Sequence, residues 1–120
     1  MTAEEKVKAM VFGLRKPGAE ILASLTAEDV DLWHMATGVT GEAGELVDAV
    51  KKAVVYRRPI DCVNVIEELG DLEFYMEGIR QILGITRDET LEANLAKLAI
   101  RYPGYQYTDA RAQERADKDE

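Results

Sequence analysis

The stretch GEAGELVDAV, residues 41–50, sets two glutamates three apart and threads glycines between them. A near copy, EELGDL, follows at residues 67–72. An interior glycine costs a helix roughly 1 kcal/mol relative to alanine. Yet the apolar residues around both stretches recur at three and four, the helical period. At about 100° of rotation per residue, Glu45 falls about 60° behind Glu42, while Leu46 leads it by about 40° and Val50 by about 80°. The acids therefore border the apolar stripe and do not oppose it. In the second copy Asp71 trails Glu68 by about 60°, Leu72 leads it by about 40° and Val65 by about 60°. Both copies read acid, any residue, glycine, acid, leucine, and they lie 26 residues apart. Side by side, the two helices bring Glu42, Glu45, Glu68 and Asp71 to one core edge.

Four carboxylates held together repel one another and raise one another's pKa values. A hard divalent cation removes that penalty, because Mg²⁺ or Mn²⁺ prefers oxygen ligands. The chain has one histidine, His34. A ferritin-like di-iron site, which needs Glu-x-x-His on two helices, is therefore excluded. One acid pair alone reads as a solvated face; two matched pairs with the same interior glycine read as a metal site. Glycine in that position lets a neighbouring helix or a ligand approach the backbone, and Gly38, Gly41 and Gly44 form one small-residue ridge.

Outward from this pair the chain reads as helix throughout, with no period-2 alternation. A first helix covers residues 3–14 and KPGAE (16–20) breaks it, with a short helical turn through Ser24. Thr26 caps a long helix running to about Tyr56, with Leu32, Ala36, Val39, Ala43, Leu46, Val50 and Ala53 as its inward stripe. Pro59 takes the N1 position of a helix over about 60–83, and Gly84 ends it. Thr86 and Glu89 form a capping box for a fourth main helix that stops before Pro103. The expectation is an all-α, four-helix bundle with a short N-terminal helix. A single domain spans residues 1–107, and residues 108–120 form a charged, frayed tail. The long helix outgrows a small monomer, so the bundle is expected to be oligomeric.

Composition narrows the class. With 47% hydrophobic and 32% charged residues the chain belongs with globular proteins. A net charge of −8 argues against nucleic acid as a partner. No apolar run approaches the ~20 residues that span a bilayer, so no membrane partner is expected. The N-terminal residues lack the apolar region of an export signal, and Cys62 is the only cysteine. A reducing cytoplasm is the expected compartment, with Cys62 as a small buried apolar residue.

The order Glu42-Ala-Gly-Glu45, then 22 residues, then Glu68-Leu-Gly-Asp71 resembles the all-α nucleoside triphosphate pyrophosphohydrolases of the MazG type. NLAKLAIRYP (94–103) is similar to that family's Asn-x-x-Lys-Leu-x-x-Arg-Tyr-Pro segment, and the resemblance covers about residues 30–107. It implies a homodimer or homotetramer that hydrolyses a nucleoside triphosphate between the α- and β-phosphates, releasing a monophosphate and pyrophosphate. Nucleotide-pool house-cleaning is the implied role. Glu42, Glu45, Glu68 and Asp71 then occupy the catalytic Mg²⁺-ligand positions, with Mn²⁺ as a substitute. Glu67 or Asp48 accepts the water's proton or supports the ligands. Asn94, Lys97 and Arg101 share one helix face for phosphate contact. Lys52 joins them, and Lys51 points to solvent. Trp33, His34 and Tyr75 either border the nucleobase or simply pack. Arg115 either closes over a neighbouring site or stays with the solvated tail. The same fold also suits dUTP or dCTP, phosphoribosyl-ATP or a guanosine alarmone; a non-catalytic helical oligomerisation module is the alternative from another class.

Overall fold

The computed structural model describes residues 1–118; residues 119 and 120, the end of the expected tail, lie outside the described residues. The chain is all-α among those residues. Its helices are α1 (Ala3–Leu14), α2 (Gly18–Ser24), α3 (Ala27–Val55), α4 (Cys62–Leu83), α5 (Arg87–Arg101) and α6 (Asp109–Glu114), with a 3₁₀ turn at Pro103–Tyr105. Local sequence sets most boundaries. Thr2 with Glu5, Thr26 with Asp29, and Thr86 with Glu89 each form a reciprocal capping box. Such a pair satisfies two backbone donors that the first turn leaves open. Gly84 ends α4 in the left-handed region at φ 66°, which glycine adopts without a Cβ penalty.

The start of α4 corrects one expectation. Pro59 does not open the helix, because Asp61 does so, its carboxylate accepting from the Asn64 amide at 3.1 Å. Residues 57–60 are instead used to reverse the chain. Arg57 turns into the left-handed region at φ 51°, and the Arg58 amide donates back to the Ala53 carbonyl at 3.0 Å. Cys62, expected inside, is exposed on the first turn that Asp61 creates.

The packed part of the molecule is the α3–α4 hairpin. Its seam holds Ala49, only 5% exposed and the one fully buried residue described, with Leu32, Met35, Val39, Glu42, Leu46 and Ala53 half-buried around it. The seam keeps Leu32, Val39, Leu46 and Ala53 of the expected stripe but is rotated by about half a residue's turn, so that Met35, Glu42 and Ala49 replace Ala36, Ala43 and Val50. Ala36 and Ala43 face out, and Val50 is 42% exposed. The reason is steric. Gly38 lies against the Tyr75 ring and Gly78 against the Met35 side chain, so each helix admits one large side chain where the other has no Cβ. That reciprocal fit fixes the rotation. By contrast Gly41, Gly44 and Gly70 have open space where a Cβ would stand, so within one chain the glycines of the acid motifs do not serve helix approach.

The other helices stand apart from this hairpin. α5 packs against the 3₁₀ turn and α6, and it reaches α4 chiefly through Arg80 Nε to Thr90 Oγ1 at 3.1 Å and a 3.9 Å contact from Arg87 to Glu73. Val7, Met10, Val11, Phe12 and Leu14 of α1 are all exposed. The radius of gyration is 20.5 Å. A compact chain of this length has about 14 Å. The tail is not frayed over its described length. Thr108 caps α6 by accepting from the Arg111 amide, and the segment folds back on the end of α5. No described helix is long and apolar enough to cross a membrane.

Candidate functional site

Glu42 projects from α3, Glu68 and Asp71 from α4, and each offers an oxygen within 4.8 Å of the others. The seam rotation produces this meeting. It turns Glu42 and Glu68 inward, while Glu45 stays exposed outside the 4.8 Å set. Glu68 Oε2 is buried and finds no hydrogen-bond partner. The Glu42 carboxylate against it pushes the Glu68 carboxyl above its ordinary value; burial adds to this, as do the charges of Glu42, Asp71 and Glu45. A buried acceptor without a donor carries its full desolvation cost. Three converging oxygens with no described basic partner suit a hard divalent cation, which takes carboxylate oxygen and keeps its remaining water. The residues present therefore fit a metal ion of that kind.

Clefts flank the acids on both sides along the hairpin. Towards the α3–α4 connection lies one of about 250 Å³, lined by Ala49, Lys52, Arg58, Asp61 and Asn64. Ala49 follows Glu45 by one helical turn and Asn64 precedes Glu68 by one turn, so this cleft begins beside the acids. Lys52 Nζ is 2.9 Å from Asp48, which ties up one of the acids considered for proton transfer and holds the ammonium pKa above its usual value. Glu67 is exposed beside Glu68, and Lys51 is exposed as expected. Towards the other end, a cleft of about 420 Å³ is lined by Met35, Phe74, Gly78 and Ile82, with Asp31, Glu77 and Gln81 as its polar groups.

The aromatic residues separate. His34 meets the Tyr75 ring edge-on at 6.4 Å, and Phe74 meets it at 5.1 Å. Trp33 is 68% exposed and joins neither. Along α5, Asn94 and Lys97 are exposed, while Arg101 is held by the tail: its Nε donates to Asp117 Oδ1 at 2.6 Å and its Nη2 to Asp117 Oδ2 at 3.1 Å. That pair holds the Asp117 carboxyl below its usual range and the guanidinium above its own. Arg115 is exposed and ends α6 in a left-handed conformation. Within one chain, then, the structure brings together Glu42, Glu68 and Asp71, keeps Glu45 and Lys52 nearby, and leaves Asn94, Lys97 and Arg101 on a separate element.

Sequence reading passed over Asn64, Arg58 and Asp117. Asn64 was legible, because it lies one turn before Glu68 on the same face. Arg58 depends on the reversal after α3, and Asp117 on the fold-back of the tail. Neither leaves a periodic trace.

A family model described as the MazG nucleotide pyrophosphohydrolase domain matches residues 32–105, well over half of the chain. No curated protein and no solved structure matches the chain. The matched region contains both acid motifs and the whole of α5, and it agrees with the resemblance read over residues 30–107. The chain belongs to the MazG nucleotide pyrophosphohydrolase family.

Proposed function

We propose that the protein hydrolyses a nucleoside triphosphate between its α- and β-phosphates, releasing a nucleoside monophosphate and pyrophosphate, as a house-cleaning enzyme of the nucleotide pool. The observation that carries this is the buried, unpartnered Glu68 Oε2 among the oxygens of Glu42 and Asp71. Glu42, Glu68 and Asp71 hold Mg²⁺ or Mn²⁺, and Glu45 joins them from the same helix. When bound, the cation offsets phosphate charge and lowers the pKa of the attacking water. Glu67, exposed beside Glu68, takes the water's proton or supports the ligands, with Asp48 as the other acid near the site. The Lys52 ammonium, two turns past Glu45, meets the departing phosphates. His34 and Tyr75 border the nucleobase, with Trp33 reaching it from the exposed side.

The working form is a homodimer or homotetramer. The large radius of gyration, a single buried residue among those described and the exposed apolar faces of α1 and α3 support this, because a lone chain leaves too much apolar surface in water. Since α5 packs against its own tail, Asn94, Lys97 and Arg101 meet the acids of a second subunit. The test is a panel of nucleoside triphosphates with Mg²⁺ or Mn²⁺, followed as pyrophosphate and monophosphate. Turnover with both products is expected. Release of inorganic phosphate alone, or no turnover across the panel, overturns the reading.

A further inference from the structure

Arg101 and Asp117 form the most enclosed ion pair described: their side chains are 17% and 3% exposed. They lie 16 residues apart, so the pair exists only because the chain folds back through the 3₁₀ turn and α6. Several contacts hold that return. The Tyr102 and Tyr107 rings lie 5.7 Å apart, the Tyr107 hydroxyl donates to Asp109 Oδ1 at 2.7 Å, and Arg111 Nη1 donates to the Gln106 carbonyl at 3.2 Å. A guanidinium has five donors in a planar fork. Asp117 takes the Nε–Nη2 side and the Tyr102 hydroxyl lies close by, while Asp117 itself leaves the Nη1–Nη2 edge, which is a bidentate match for phosphate oxygens.

We propose that Asp117 is a positioning residue: it fixes Arg101 in one rotamer by the side edge of its guanidinium, so that the end edge is presented to the pyrophosphate portion of the substrate. The physical reason is entropic. A free arginine loses its rotamer freedom when it grips phosphate, whereas an arginine already held by a buried carboxylate has lost that freedom on folding. A carboxylate competing with substrate would occupy the end edge, and Asp117 does not. The tail thus serves the reaction without touching the reacting atoms. This inference rests on the proposed role of Arg101 at the phosphates.

The test measures equilibrium binding of inorganic pyrophosphate in Mg²⁺, together with steady-state kinetics on the full chain. Asp117→Ala should weaken pyrophosphate binding and raise KM by about three- to tenfold, the effect of ordering one long side chain on binding, with kcat changed less than about twofold. Asp117→Asn, which keeps the shape and one acceptor, should fall between wild type and Asp117→Ala. In an Arg101→Ala background, Asp117→Ala should add nothing, because the two act as one unit. A lower KM in Asp117→Ala overturns the proposal by showing competition with phosphate. A lower melting temperature with KM and pyrophosphate affinity unchanged overturns it by reducing the pair to a structural tie. If Arg101→Ala itself binds pyrophosphate as wild type does, the phosphate role of Arg101 fails and this proposal fails with it. An effect of Arg101→Ala with none from Asp117→Ala sinks the positioning role alone.

Discussion

The α3–α4 hairpin is acidic, the C-terminal segment from α5 to α6 is nearly charge-balanced, and the two fold by different means. The hairpin is joined by packing: glycine admits a ring at Gly38 and a thioether at Gly78, and Glu42 and Glu68 come to rest half-buried in the seam with the exposed Asp71 beside them. The C-terminal segment is joined by polar ties, chiefly Arg101 to Asp117. Within one chain the two segments meet chiefly through Arg80 to Thr90 and Arg87 to Glu73. The hairpin bears an electrostatic strain at Glu68 that its own residues do not relieve, whereas the C-terminal segment pairs Arg101 with Asp117. The proposed hydrolysis of a nucleoside triphosphate would bring both segments around one substrate.

The sharpest way to break this contrast is to remove its acidic side. Asp71→Asn should lower turnover by about a thousandfold or more with unchanged helix content by circular dichroism, because a metal supplies several kcal/mol of charge stabilisation. Glu45→Gln should do the same; activity surviving in both variants would misplace the metal. The separation of the halves is tested by mixing subunits. Asp71→Asn and Arg101→Ala proteins, unfolded together and refolded at equal amounts, should regain about a quarter of wild-type activity if each site draws its acids and its arginine from different subunits of a dimer. A site built within one chain regains none.

The hairpin's own packing is tested at two glycines. Gly38→Ala would push a methyl group into the Tyr75 ring, an overpacking that costs roughly 1–3 kcal/mol in thermal or urea unfolding. Gly44→Ala meets nothing within 4 Å in the chain, so it should gain up to about 1 kcal/mol from helix propensity. If Gly44→Ala loses activity while gaining stability, the open space over the acid motif belongs to a ligand or a second subunit. Removing the strain is a smaller intervention. Glu68→Gln replaces a carboxylate facing Glu42 with an amide that donates to it, and should raise the melting temperature of the metal-free protein by a few degrees. The same variant should lose the further rise that Mg²⁺ gives wild type.

The smallest effect concerns pH and the tail. Asp117 lies below its ordinary value of 3.8 because Arg101 holds it, so the unfolded chain binds that proton more readily than the folded one. The tie therefore stabilises the tail fully above that value and is lost as pH falls through the depressed one. Tyrosine signals from Tyr102 and Tyr107, followed by near-ultraviolet dichroism, should stay constant from neutral pH down to about 4 and change only in stronger acid. Asp117→Asn should remove that acid step.

The comparison also shows which parts of the molecule were legible before folding. Helix starts were plain at Thr26 as a cap and at Thr86 with Glu89 as a capping box, because a cap is a contact between residues three apart; that Asp29 closes a second box with Thr26 emerged only in the structure. The sequence placed four acids, Glu42, Glu45, Glu68 and Asp71, at one common edge of two helices; the structure brings together Glu42, Glu68 and Asp71 and leaves Glu45 exposed outside them. The rotation of the seam was not, because it depends on which glycine faces which large side chain: Gly38 with Tyr75, and Gly78 with Met35. That is why Ala49 lies in the core and Val50 does not, and why the glycines of GEAGELVDAV face open space.

What the sequence by itself determined is local and periodic: an all-α chain, its caps, its paired acids and its family. Short-range hydrogen bonds and the 3.6-residue repeat are written directly in neighbouring letters. The tertiary structure alone decided that Glu68 would be buried without a partner and that Asp117 would hold Arg101. These outcomes depend on segments meeting through chain reversals, where packing volume and the loss of water outweigh any preference a single residue carries.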